Sequence, residues 1–66
     1  MSYLDYKRKV REHFLKSSGL SEKDADKYLS SKENDEIIRE DYDMFSGKNI
    51  ANISPDSTAH TLWLLY

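Results

Sequence analysis

Cysteine is absent from this 66-residue chain, proline occurs once and glycine twice. Without cysteine there are no disulfides and no thiolate metal sites. Two common supports of a very small domain are therefore closed off. Two isolated glycines do not make a phosphate-cradling loop, and no serine stands in a Gly-x-Ser-x-Gly setting. Long apolar runs are missing too. Nothing approaches the ~20 apolar residues needed to span a bilayer, and the closing "LWLLY" is far too short. The opening "MSYLDYKRKV" lacks the apolar stretch of a secretory signal. These absences predict a soluble, cytoplasmic protein that needs no membrane.

What is present is charge and large side chains. Charged residues make up 33% of the chain, yet the net charge is only −2 and 38% of residues are hydrophobic. Disorder needs lower hydrophobicity and a larger unbalanced charge. The charge is split along the chain. Residues 1–16 carry Lys7, Arg8, Lys9, Arg11 and Lys16 against Asp5 and Glu12, whereas residues 17–45 are strongly acidic. Such halves attract each other within a fold or face different partners.

Hydrophobic spacing predicts an all-α protein, a small bundle of three to four short helices over about 3–17, 22–30, 33–45 and 55–65. In the first, Tyr3, Tyr6, Val10 and Phe14 share one side at about 100° per residue. Leu4 and Leu15 form a flanking row, and Gly19 suits the left-handed residue past a helix end. "LSEKDA" starts the second helix, with Ser21 as N-cap, Asp24 three residues on, and Leu20 and Ala25 spaced as a hydrophobic staple. Ala25, Tyr28 and Leu29 form its short apolar face. "SSKEND" interrupts the pattern, and Ser30 followed by Glu33 suits a new cap. Whether residues 22–45 form two helices or one kinked helix stays open at this level. Ile38, Tyr42 and Phe45 line the third segment, which should end at Ser46-Gly47, and Ile50 and Ile53 should pin the loop that follows.

Ser54-Pro55 opens the last helix, with serine a favoured N-cap and proline well placed at the first helical position. Ala59, Leu62, Trp63 and Tyr66 then form a narrow core-facing stripe, with Leu64 pointing away and Leu65 at the margin. The tail therefore reads as a helix locked onto the others. No repeat, low-complexity run or boundary divides residues 1–66, which read as a single domain.

Several functional patterns fail on their residues. "FLKSSGLSEKDADKY" has the outline of a helix-turn-helix, but its second helix carries Glu22, Asp24 and Asp26, which repel phosphates. "DYDMFSG" begins like a calcium loop, but Phe45 stands where an oxygen ligand belongs, and Asn52 replaces the bidentate glutamate. His13 and His60 lie far apart and outside any ligand-spaced cluster. Asn52-Ile53-Ser54 matches a glycosylation triplet, though Ser54 is better explained as a cap. A 66-residue helical domain also struggles to enclose a catalytic pocket of ~300 Å³ or more. The expectation is no enzyme, no cofactor, no metal and no small-molecule substrate.

Large side chains exceed what one small core needs: five Tyr, Trp63, Leu64 and Leu65. Aromatic residues favour interface centres, so Trp63, Leu64 and Tyr66 are the candidate contacts of a protein-interaction module, with a protein partner or a homo-oligomer. The alternative is nucleic-acid binding through the basic first helix, with Lys7, Arg8 and Arg11 clustered on it. Lys7 and Arg11 also fall between apolar rows, and Asp41 falls within the apolar face of the third helix. Pairing of Asp41 with Lys7 or Arg11 is the corresponding structural expectation.

Overall fold

The structure, a computed structural model, describes residues 1–47 and 52–66. The described residues form four α-helices and no strand: α1 (Tyr3–Ser18), α2 (Glu22–Leu29), α3 (Lys32–Ser46) and α4 (Pro55–Leu64). The all-α bundle is as expected, with helix ends that differ from the sequence reading by one residue at most. Residues 22–45 form two helices. Ile50 lies outside the described residues, and Ile53 packs half-buried against the core.

Every helix opens on a serine. Ser2, Ser21, Ser31 and Ser54 each accept a hydrogen bond from the backbone N–H three residues on, which satisfies one of the orphan donors of a first turn. At α4 the box is complete, since Ser57 Oγ also accepts from Ser54 N–H at 2.9 Å. At α2 Ser21 Oγ accepts from Asp24 N–H at 3.2 Å. The first helix ends on Gly19 at φ 70°, in the left-handed region glycine enters without a Cβ penalty.

The cap of α3 corrects the sequence reading. Ser31, not Ser30, is the N-cap, and Ser30 instead closes α2. The register follows from Asn34, which is nearly buried. Its Nδ2 donates to Tyr28 O at 2.8 Å and so satisfies a carbonyl at the end of α2. One side chain thus binds the end of one helix to the start of the next.

The centre of the fold is α1, which touches each of the other helices and packs most extensively along α4. Tyr6, Val10 and Phe14, four residues apart, are fully buried on one stripe of α1. Ala25 and Leu29 of α2, Ile38 of α3, and Ala59 and Leu62 of α4 close on that stripe. Tyr3, Tyr42, Phe45 and Trp63 surround it. Thr58 is also fully buried, and its Oγ1 donates to Asp41 Oδ2 at 2.8 Å. Asp41 therefore pairs with neither Lys7 nor Arg11. Its position within the apolar face of α3 is explained by a hydroxyl from α4.

Candidate functional site

The four residues that close the chain divide sharply. Leu62 just before them is fully buried, whereas Leu64 is 71% exposed and Leu65 62% exposed. Tyr66 corrects the sequence reading. It lies beyond the last residue of α4 and is 61% exposed, not part of the core stripe. Trp63 is half-buried and edge-on to the buried Phe14 ring, with centroids 6.0 Å apart.

An aromatic ladder connects this end to the core. Phe14 stacks on Tyr28 at 5.5 Å, and Tyr66 meets Tyr28 at 4.8 Å and Trp63 at 5.5 Å. Tyr28 is fixed in the ladder by its hydroxyl, which donates to Leu62 O at 2.8 Å. That bond also satisfies a carbonyl in the last turn of α4. The structure thus brings Trp63 and Tyr66 together with Tyr28, and leaves Leu64 and Leu65 beside them in solvent. Sequence reasoning missed Tyr28 as a site residue. Its signal was the short apolar face of α2, which identified burial but not the partner.

Three of the five Lys and Arg residues of α1, the candidate nucleic-acid contacts, sit beside carboxylates. Lys7 Nζ lies 3.2 Å from Asp35 Oδ1, and Arg8 lies 3.4 Å from Asp5. Arg11 donates to Asp26 at 2.6 Å and to Glu22 at 2.9 Å. Those Arg11 hydrogen bonds hold the Asp26 carboxyl below its usual range. Asp35 gathers more donors still: Tyr3 Oη at 2.9 Å, Lys7 Nζ at 3.2 Å and Arg39 Nε at 3.0 Å. The Arg39 bond and then the Tyr3 bond lower its pKa to about 2. Burial, followed by the hydrogen bond to Asp35, pushes the Tyr3 phenol up to about 12. Lys7 and Arg11 of the basic half therefore meet carboxylates of the acidic half within the fold, and Arg8 meets Asp5 of its own helix. Lys7, Arg8 and Arg11 share one side of α1, but each faces a carboxylate of the same chain.

Between α1, α2 and α3 lies a groove of about 380 Å³. Leu29 and Ile38 form its floor and Leu4 its edge, with Lys7, Arg8 and Arg11 along the α1 wall. Leu4, read from sequence as part of a flanking row with Leu15, is 75% exposed there. The groove was not visible in the sequence, because it arises from the spacing between three helices. Among the described residues no three His, Asp or Glu side chains stand close enough to hold a metal ion. His13 Nδ1 lies 3.7 Å from Asp56, with both side chains substantially exposed. Asp41 and Asp43 belong to the helix α3, not to an ion-binding loop. No helix among the described residues is long and apolar enough to cross a membrane. No family model, curated protein or solved structure matches this chain.

Proposed function

We propose that this protein is a non-enzymatic helical interaction module, and that the end of α4 carries the contact. The supporting observation is the ladder from Phe14 through Tyr28 and Trp63 to Tyr66, which runs from full burial to 61% exposure. Leu64 and Leu65, both largely exposed, add apolar surface at the same end of α4. Scattered single hydrophobes on a surface need no explanation, but adjoining ones on a small domain suit a binding patch. Aromatic anchors held by neighbours lose little side-chain freedom on binding. The Tyr28 bond to Leu62 O fixes the inner part of the ladder.

The nucleic-acid reading gains no support of its own, because Lys7, Arg8 and Arg11 each face a carboxylate. Phosphate binding would have to displace those partners.

Capture experiments test the module reading. Tagged wild type and a Leu64→Asp/Leu65→Asp variant are compared in native extract at high salt, which screens charge contacts and spares apolar ones. The expected result is a partner retained by the wild type and lost by the variant, with unchanged melting of the two proteins. A partner held equally by both proteins, or none held by either, removes the α4 end as the contact.

A further inference from the structure

We propose that α2 is a strap that opens by unfolding in place while α1, α3 and α4 stay packed, and that Arg11 is the residue that fastens it.

Length and burial set α2 apart. It runs only from Glu22 to Leu29, and a helix this short does not hold in water without tertiary support. That support is thin. Ala25 and Leu29 are its only buried residues, and Ala25 brings no more than a methyl group. The next shortest helix, α4, buries Pro55, Thr58, Ala59 and Leu62.

The other three helices are joined without α2. Tyr6, Thr58 and Asp41 link α1, α4 and α3 through their side-chain oxygens. Tyr6 packs on Tyr42 at 5.6 Å and on Phe45 at 5.2 Å. Asp35 of α3 receives Tyr3 and Lys7 of α1. None of these contacts passes through α2, so all of them outlast its opening.

The two ends of the strap are held differently. At the C-terminal end Leu29 is buried, Asn34 Nδ2 holds the Tyr28 carbonyl, and the Tyr28 hydroxyl holds the Leu62 carbonyl. Nearer the N-terminal end the polar fastening is Arg11. Its guanidinium grips Asp26 at 2.6 and 3.3 Å and reaches Glu22 at 2.9 Å. Such a two-point grip on one carboxylate is directional. The Glu22 and Asp26 side chains are 76% and 53% exposed, so dissolved salt screens the grip. Chain continuity decides how the strap opens. Residues 19–21 and 30–31 are short links to α1 and α3. They leave no room for α2 to swing out as a rod, so it unwinds into a loop anchored at both ends.

Opening reaches the end of α4. Tyr28 meets Tyr66 at 4.8 Å and holds the Leu62 carbonyl. The aromatic surface there is complete only while the strap is shut, and this step rests on the reading of that surface as the contact. A partner bound to it holds α2 closed, and by reciprocity whatever fastens α2 favours the partner.

Native-state hydrogen exchange on the full chain tests the strap with no partner present. The amides of residues 25–29 should be at least about tenfold less protected than those of residues 10–14. Their protection should also depend less on denaturant, because a local opening exposes less surface than global unfolding. Thr58→Ser removes one buried methyl and keeps the hydroxyl. It weakens the three-helix part that stays folded when the strap opens. Protection of residues 10–14 should fall roughly fourfold, and that of residues 25–29 should not change. Arg11→Met keeps most of the aliphatic stem and removes the charge. It weakens only the closed state, so protection of residues 25–29 should fall about two- to fivefold, the range of exposed ion pairs. Equal protection and equal denaturant dependence in the two segments would overturn the inference. So would a fall at residues 25–29 in Thr58→Ser that matches the fall at 10–14. An Arg11→Met variant with unchanged protection at residues 25–29 would refute Arg11 as the fastening. The capture experiment is independent of all three outcomes, so the strap and the contact reading stand or fall separately.

Discussion

The hydroxyl of Tyr6 and the carboxylate of Asp41 are joined across the core through Thr58. Thr58 Oγ1 lies 2.7 Å from Tyr6 Oη and 2.8 Å from Asp41 Oδ2. A carboxylate only accepts, so the single hydroxyl proton of Thr58 goes to Asp41, and Tyr6 must donate to Thr58. Three helices are thereby held in one register: α1 by Tyr6, α4 by Thr58 and α3 by Asp41. Burial pushes the Tyr6 phenol up, and the Asp41 charge adds to the effect.

Thr58→Val keeps the shape of the side chain, strands the buried Tyr6 hydroxyl and removes a partner of the half-buried Asp41. It should cost about 1–3 kcal/mol, the desolvation of an unpaired buried group. Tyr6→Phe should cost less when Thr58 is already Val, because its partner is gone. Urea unfolding of the two single variants and the double variant measures the coupling. Strict additivity would mean that the chain of hydroxyls does not exist in solution.

Asp35 predicts how stability depends on pH. Its folded pKa of about 2 lies below the ordinary 3.8. The unfolded state thus binds its proton first as pH falls, and the stabilisation is full above about pH 4 and lost through about pH 2. The side chain is 27% exposed, so the effect is about 1 kcal/mol after screening. Tyr3 acts at the other end. Its pKa is raised to about 12, so its contribution is full below about pH 10 and lost as pH rises through about 12. Asp35→Asn should lower the melting temperature at pH 7, and the gap should close on acidification below about pH 2. A gap that stays constant from neutral to acid pH would separate Asp35 from the acid limb.

The two serines between α2 and α3 separate two possible registers. Ser31→Ala should cost about 1 kcal/mol as the loss of an N-cap, and Ser30→Ala only a few tenths. For a domain this small, 1 kcal/mol moves the melting temperature by about 4–8 °C. Thermal melts of the two variants therefore read the register directly. The reverse ranking would restore the Ser30 cap.

What the sequence made legible was local. Tyr6, Val10 and Phe14 repeat at helical spacing with nothing polar among them, so the buried stripe of α1 was plain. Gly19 and the Ser54-Pro55 pair marked their helix ends through backbone chemistry that depends on few neighbours. Ser30 and Ser31 both fit a cap pattern, and the choice was made by Asn34 reaching the Tyr28 carbonyl, a contact outside any cap rule. Asp41 was placed on the right face of α3, but its partner Thr58 is polar and fell outside an apolar reading of α4. Tyr66 was assigned by extending a helical stripe past the residue where the helix ends. The contact residues at the α4 end were therefore half legible: Trp63 and Leu64 from their excess, Tyr28 only from the packing of helices against one another.

Leu62 and Leu64 lie two residues apart on α4 and should respond oppositely to truncation. Leu62 is fully buried among the α1 stripe, and Leu62→Ala should cost about 2–5 kcal/mol from lost burial and an unfilled cavity. A domain of this size has a total stability near the low end of about 5–15 kcal/mol, so that variant should be largely or partly unfolded at 37 °C. Leu64 is 71% exposed, and Leu64→Ala should change stability by no more than about 0.5 kcal/mol in either direction. Chemical denaturation followed by Trp63 emission measures both, since the half-buried indole beside Phe14 reports the docking of α4. The contrast bears on function. On the proposed reading, a leucine that folding does not require is free to serve an apolar contact outside the monomer. A loss of 2 kcal/mol or more in Leu64→Ala would show that the residue serves the core instead, and would take the α4 end away as a binding surface.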